Sequence, residues 1–435
     1  MADPGHIKPC LGAFDASMVV VSLVVGIGIF RTPALVARET GGELLFFAAW
    51  AVGGVVTLAG ALTYAEIGSR LPRAGGYYKV IAECYHPRLA FMLNWSQVLM
   101  QGAGVAGVAF IGAEYLAAAL RLGAGAAPGL AVALMVALLA LNWLGVRAGA
   151  RAQNALSLTK LLMIVGVALL ALWRTSAPVP AGMPEPALGW GFASALVAVF
   201  YTYGGYQTVM NLGGDLRDPR RSLPRAVVGG MLVVVAVYLL SNAAYVRVLG
   251  LPGVAESKLV AAALMRALFG PTGETLVSLA IFLSAAGCVN ATILQVPRSF
   301  YAMAQDGALP RVFLPIDPRT QVQPASLLAF GASMLLPALV LGSFEKLLAY
   351  VMFNDGLMLL AVASTVFVLR RRAAEDETQV FRLPGYPFVP LLFMAALSGV
   401  VLRLLVVETP LALAGGLVLL AGWPLHALAR RASAA

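Results

Sequence analysis

Residues 25–33 read Val25-Gly26-Ile27-Gly28-Ile29-Phe30-Arg31-Thr32-Pro33, in the middle of an apolar run, 11–37, long enough to cross a bilayer as one helix. Two glycines one residue apart are poor helix formers where Leu or Ala would serve, so a break is expected near Gly26 to Gly28. A second paired-glycine stretch, Phe200-Tyr201-Thr202-Tyr203-Gly204-Gly205-Tyr206, interrupts a later run at 190–213. Unwound backbone exposes N–H groups at the start of one half-helix and C=O groups at the end of the other. A zwitterion suits such a site: its carboxylate would accept from N–H groups around Ile27 to Phe30, and its ammonium would donate to carbonyls near Leu23 to Val25 and Tyr201 to Tyr203. Candidate substrate-binding residues are thus Gly26, Ile27, Gly28 and Ile29 in the first run and Tyr201, Thr202, Tyr203 and Gly204 in the other. The alternative is that these glycines only let helices pack closely.

Hydrophobic residues make up 60% of the chain and charged residues 11%, with a mean hydropathy of +0.86, too little polar surface to cover a soluble globule of 435 residues. Lipid is the expected solvent. Apolar runs fall at about 11–37, 43–69, 88–119, 128–146, 151–173 and 190–213, then at about 225–249, 274–304, 324–342, 346–369, 387–406 and 409–427. The reading is an all-α polytopic membrane protein with about twelve transmembrane helices and no soluble domain. The two glycine breaks then fall in the first and sixth spans, the spacing of an inverted repeat of five plus five helices. One repeat would be 11–173 and the other 190–369, with 387–427 supplying two additional helices.

The net charge of +10 is informative through its placement. With an even number of spans and the N-terminus inside, one side holds Lys8, Arg70, Arg73, Lys79, Arg88, Arg147, Arg151, Arg217, Arg220, Arg221, Arg225, Arg298, Arg311, Arg319, Arg370, Arg371, Arg372, Arg382, Arg430 and Arg431. That is roughly twice the number on the other side, where Arg38, Arg121, Arg174, Lys258 and Arg266 are typical, so both termini are expected in the cytoplasm and the protein in the inner membrane. Met1 to Pro9 lacks the basic stretch and cleavage site of a secretory signal, so the first span is expected to remain. The basic balance is ascribed to orientation rather than to nucleic acid. Cys10, Cys84 and Cys288 show no metal-ligand spacing, and no metal or other cofactor is expected.

The motifs, taken in order, resemble the amino acid-polyamine-organocation transporter superfamily, within it the L-type amino-acid transporters and bacterial permeases. They are Gly26-Ile27-Gly28-Ile29-Phe30 with Pro33; Tyr64-Ala65-Glu66 followed by Leu71-Pro72-Arg73-Ala74-Gly75-Gly76-Tyr77; Thr159-Lys160-Leu161-Leu162; Tyr203-Gly204-Gly205; Asp218-Pro219-Arg220-Arg221-Ser222-Leu223-Pro224-Arg225-Ala226; and Val289-Asn290 with Asp306-Gly307-Ala308-Leu309-Pro310. The resemblance covers nearly the whole chain. It implies the LeuT-like fold with discontinuous helices one and six, an alternating-access cycle, and an α-amino acid bound between spans one, three, six, eight and ten. It further implies that Tyr201 is an aromatic lid over the substrate, and that Asn290 and Thr292 face the pocket. The segment between spans three and four lacks the cysteine by which animal L-type transporters join a glycoprotein, so no disulfide-linked heavy chain is expected.

Lys160 lies well inside span five, where a charge costs at least a few kcal/mol and normally faces protein or water. The resemblance places it where sodium-coupled members of the fold keep a cation, implying sodium-independent transport. Its ammonium would hold the unwound part of span one to span eight, and it is a candidate for coupling. Asp355, beside Asn354 and Gly356 in span ten, departs from the L-type pattern, which carries a large apolar residue there. It is a second coupling candidate that would titrate, pair with Lys160 or another base, or select a cationic substrate side chain; a plain carboxylate near the outer water line is the alternative. Asp15 and Glu66, near helix ends, are expected to stabilise the fold.

Sodium-independent secondary transport of α-amino acids, by exchange or proton coupling, is the leading reading. A transporter of another amine such as a polyamine, or a sensor that binds without flux, is the alternative. The major facilitator architecture explains neither the glycine break nor Lys160. An enzyme would need a catalytic constellation, and His6, His86 and His426 all lie at loops or ends.

Overall fold

Without water to satisfy them, N–H and C=O groups in hydrocarbon must bond within their own segment, so each apolar run becomes a helix. The computed structural model describes residues 9–26, 28–72, 75–123, 125–174, 190–257, 260–341, 345–372, 380–407 and 409–434. Lys8, Ile27, Arg73 and Lys258 lie outside this set. The first run forms α1 (Ala13–Val24) and α2 (Gly28–Thr40), bent by 45° at the predicted break. There follow α3 (Glu43–Arg70), α4 (Gly76–Cys84), α5 (Pro87–Ala119), α6 (Ala126–Trp143) and α7 (Val146–Arg174). The sixth run forms α8 (Trp190–Thr202), which stops at its own glycines and resumes as a 3₁₀ turn, Tyr206–Asn211.

Beyond it lie α9 (Pro219–Glu256), α10 (Val260–Gln295), α11 (Pro297–Gln305), α12 (Pro324–Leu341), α13 (Glu345–Arg371), α14 (Phe388–Val407) and α15 (Thr409–Ala434). Six helices (α3, α5, α6, α7, α9 and the α10–α11 rod) are each long and apolar enough to cross a membrane, and the bent α1–α2 pair passes together. The protein is thus an all-helical, multi-pass membrane protein. Two details depart from the sequence reading. The stretch 250–273, left between spans, is largely helical and kinks at Gly250 (φ +67°) and Gly270 (φ +63°), each followed within two residues by proline. A short helix, α4, also forms where only a loop was expected, because Gly75 (φ +75°) starts it in a conformation that costs other residues energy.

The burial pattern is inverted relative to a soluble protein. Leu44 is 84% and Trp173 83% exposed, whereas Lys160, Glu66 and Asp215 are sealed inside. At the basic end of the bundle, Glu66 of α3 accepts from Arg70 at 2.8 Å, from Arg370 of α13 at 2.7 and 2.6 Å, and from the Leu383 N–H at 2.9 Å. Arg298 of α11 grips Asp215 with two bonds of 3.0 and 3.1 Å. Asp15 accepts from the Gly12 N–H at 2.7 Å and from Asn154 of α7 at 2.6 Å. The expected stabilising roles of Glu66 and Asp15 follow from these contacts.

Removing one member of a buried ionic cluster costs more than it ever contributed, because the remaining charges stay desolvated. Glu66→Gln is therefore expected to destabilise the protein by about 3–5 kcal/mol, read as a lowered melting temperature in detergent. Asp218→Asn, which touches only the exposed pair with Arg221 at 3.8 Å, is expected to leave it unchanged.

Candidate functional site

The end of α1 is set by its backbone geometry. Val25 (φ −73°, ψ 70°) sits at the centre of an inverse γ-turn in which the Gly26 N–H reaches the Val24 carbonyl at 2.7 Å. This turn swings the Val25 carbonyl out of the helix, and two buried donors meet it: Lys160 Nζ of α7 at 2.5 Å and Ser284 Oγ of α10 at 3.0 Å. Lys160 also donates to the Ser22 carbonyl at 3.2 Å and hydroxyl at 3.1 Å, so its three N–H groups all serve the last turn of α1. A cation at a helix C-terminus also complements the helix dipole. The expected link from span one to span eight exists, but it runs through the shared Val25 carbonyl and Ser284. Gly287 leaves the room: a Cβ there would lie 2.7 Å from Ser22 Oγ and 3.6 Å from Lys160 Nζ.

The second break is joined to the first. Gly205 adopts φ +110°, and its backbone lies on α1 so closely that a Cβ would stand 3.0 Å from the Leu23 carbonyl oxygen. Tyr238 of α9 spans both breaks, donating toward the Val24 carbonyl at 2.7 Å with the Thr202 carbonyl at 3.2 Å. The Thr202 and Thr32 hydroxyls share a hydrogen bond of 2.7 Å, tying α8 to α2. Further toward the basic end, Leu11 and Leu216 form a parallel β-bridge, with Cys10 and Leu11 N–H groups on the Asp215 carbonyl at 2.8 and 2.9 Å. Asn211, Gln295 and Gln101 continue the polar connection at 2.5 and 3.0 Å.

These contacts redistribute the expected roles. The Val24 oxygen receives Gly26 and Tyr238, and the Val25 oxygen receives Lys160 and Ser284, so each is saturated by protein donors instead of awaiting an ammonium. At the start of α2 the N–H groups of Gly28, Ile29 and Phe30 occupy first-turn positions that have no intrahelical acceptor, while Ile27 lies outside the described residues. At Gly26 an added Cβ would meet the Val24 oxygen in ordinary contact at 3.9 Å, the nearest atom among the described residues. Gly28 packs on Thr202, whose Cγ2 a Cβ would meet at 2.7 Å. Tyr201 is half-buried and edge-on to Phe200, and Gly204 closes a turn onto the Tyr201 carbonyl at 3.0 Å.

Asn290 and Thr292 spend their polar groups elsewhere than on the expected pocket, and Tyr203, a candidate through its backbone carbonyl, has its ring buried. Tyr203 is sealed in an aromatic core with Trp50 and Tyr238 at 5.9 and 5.1 Å. Asn290 spends both amide protons on the Gly149 carbonyl and Gln153, at 3.1 and 2.9 Å, and accepts from Asn142 at 2.7 Å, which makes it a packing residue among α6, α7 and α10. The Thr292 hydroxyl turns back to the Cys288 carbonyl of its own helix at 2.9 Å. Ser284, two turns earlier on α10, is the residue that reaches the break. Asp355 of α13 is half-buried and bonds Gln97 of α5 at 2.8 Å; its described partners include neither Lys160 nor another base. Ser22, Ser284 and Tyr238 escaped the sequence reading, where an isolated polar group in an aliphatic run was the only signal they gave; Gln97, with Asn94, Ser96 and Gln101, is among the span-three polar groups that the sequence offers to the pocket.

A family model described as amino acid permease matches residues 11–419. The serine/threonine exchanger SteT of Bacillus subtilis is 29% identical over 97% of this chain and 96% of that protein. The large neutral amino acids transporter small subunit 2 of Rattus norvegicus is 28% identical over 90% of this chain and 75% of its own length. The cystine/glutamate transporter of Homo sapiens is 27% identical over 86% of this chain and 76% of its own length.

The two glycines of the first break differ in how tightly they are packed. Gly28→Ala is expected to destabilise the protein by about 1–3 kcal/mol through overpacking, with partial recovery in the Gly28→Ala/Thr202→Ser double variant, which removes the clashing methyl. Gly26→Ala is expected to melt like the wild type but to bind substrate severalfold more weakly. Thermal unfolding and equilibrium binding on the same preparations check both.

Proposed function

The chain belongs to the amino acid permease family, and from that premise we propose that it is a sodium-independent secondary transporter of α-amino acids, working by alternating access with exchange or proton coupling. The observation that carries the reading is the pair of helix interruptions, at Val25–Gly26 and Tyr203–Gly205, held against each other at Leu23 and Gly205. In this reading the chain crosses the inner membrane twelve times with both termini cytoplasmic. Residues 11–173 and 190–369 are inverted repeats with the LeuT-like arrangement, and 387–427 add two helices.

The substrate carboxylate accepts from the N–H groups of Gly28, Ile29 and Phe30 at the positive end of α2, with Gly26 leaving it room. With the carbonyls of Val24 and Val25 saturated, the ammonium is assigned to the carbonyl end of α8, around Tyr201 and Thr202, and Tyr201 covers the bound molecule. Lys160 substitutes a fixed charge for a metal ion, so the end of α1 keeps its geometry without sodium. Because all three of its donors serve α1, any movement of α1 against α7 breaks charge-assisted bonds, and Lys160 is in this way coupled to the transport cycle. Asp355, the second coupling candidate, takes a role set by what it faces. The segment joining α5 to α6 contains no cysteine, and a disulfide-linked second subunit there is no part of the proposal.

Uptake into proteoliposomes without sodium tests the reading. Labelled amino acid entering only against preloaded amino acid identifies exchange, entry into empty vesicles under an inward proton gradient identifies symport, and saturable binding without entry identifies a sensor. Lys160→Ala is expected to lower the initial rate at least about tenfold while the protein remains monodisperse, since charged hydrogen bonds of about 1.5–3 kcal/mol each are lost. Full transport by that variant would remove Lys160 from the mechanism.

A further inference from the structure

Asp355 has an unusual environment for a carboxylate in the membrane interior. Among the described residues no lysine or arginine stands against it. Its hydrogen-bond partner is the Gln97 amide nitrogen at 2.8 Å, and the other groups within its electrostatic reach are the hydroxyls of Tyr64, Tyr77, Tyr201 and Tyr206. Placing a single negative charge there costs several kcal/mol that no protein cation offsets.

The surroundings supply acceptors and ring faces in place of a counter-ion. Gln97 is 4% exposed, and because its amide nitrogen is turned to Asp355, its Oε1 is buried without a hydrogen-bond partner among the described residues. The Tyr77 hydroxyl is likewise buried without one. Tyr64 stands edge-on to Tyr77 and Tyr206 at 6.4 and 6.0 Å, and its own hydroxyl is spent on the Leu359 carbonyl at 2.9 Å. A carboxylate, an orphaned amide oxygen and aromatic rings together suit a group that is positive and carries several N–H donors. A proton on Asp355 would cancel the charge and supply a single donor, which an acid–amide pair can direct to the Gln97 oxygen; an ammonium or guanidinium cancels the charge and brings several donors, enough for the carboxylate and the amide oxygen together. Asp355 is only partly enclosed by protein, and its electrostatic reach to Tyr201 relates it to the end of α8.

We infer that Asp355, positioned by Gln97, receives the cationic side chain of a basic amino acid whose α-carboxylate and α-ammonium lie at the two helix breaks. The inference rests on the α-amino acid reading above and specifies its substrate class. Neutralising the buried carboxylate makes the loaded site electrically balanced, whereas an acidic amino acid would add a second negative charge beside the first. The named substrates of the similar proteins are neutral or acidic amino acids, so the family alone leaves the charge class of the side chain open.

Competition of lysine, arginine and ornithine against serine, leucine and glutamate for a labelled substrate, at fixed pH in proteoliposomes and by equilibrium binding in detergent, tests it. The wild type is expected to prefer the basic set by about tenfold or more, Asp355→Asn to lose that preference, and Asp355→Glu to keep part of it. Gln97→Ala, which leaves the charge, is expected to weaken the preference by less. A wild type that prefers neutral or acidic amino acids overturns the inference whether or not any variant folds. So does an Asp355→Asn protein with an unaltered ratio, including one in which only the proton dependence of uptake has changed. Failure to bind or carry any amino acid would instead sink the transporter reading itself, which the same experiment detects.

Discussion

The centre of this bundle depends on where the carbonyl groups at the end of α1 find donors in a medium that contains no water. The inverse γ-turn at Val25 opens the helix and would leave several buried oxygens unsatisfied, each at a cost of several kcal/mol. Lys160, Ser284 and Tyr238 answer that need from three different helices. Holding the break open is therefore a tertiary event. The same contacts saturate the Val24 and Val25 carbonyls and leave the N–H groups of the first turn of α2 without intrahelical acceptors.

Charge in the interior follows one rule with one exception. Glu66 is matched by Arg70 and Arg370, Asp215 by Arg298, and the ammonium of Lys160 by helix-end carbonyls. These groups are structural in the sense that each has its counter-charge or dipole within the fold. Among the described residues, Asp355 is matched by an amide, that of Gln97, and by no lysine or arginine. A site that must bind and release a cation has to be left incomplete by the protein, because a resident arginine or lysine would compete with the cargo for the same oxygen atoms.

Polarity was easier to locate along the chain than to orient. Asn290 and Thr292 were expected at the pocket because they stand beside a family motif, yet the side chain of one crosses to Asn142, Gly149 and Gln153 and the other bonds within its helix. Ser284 reaches the break, two turns away. On a helix a shift of a few residues turns a side chain to another face, and in an apolar helix with polar residues on several sides no hydropathy stripe says which face is inward. Tyr203, a candidate through its backbone carbonyl, has its ring sealed in the core against Trp50 and Tyr238, a placement that no local property of the sequence specifies.

The sequence by itself determined that the chain lives in lipid, where its long apolar helices run, where two of them break, and that a lysine stands inside one of them. Each of these follows from a local property, since hydrophobic length, glycine's weak helix propensity and the cost of an interior charge act within a few residues. Only the tertiary structure decided which carbonyls at the break are already saturated, that Tyr238 links the two interruptions, and that Asp355 meets Gln97 rather than Lys160. Those outcomes depend on pairs separated by many helices, such as the 258 residues between Gln97 and Asp355. Such pairings are chosen by packing, which brings side chains together across the bundle whatever their distance along the chain.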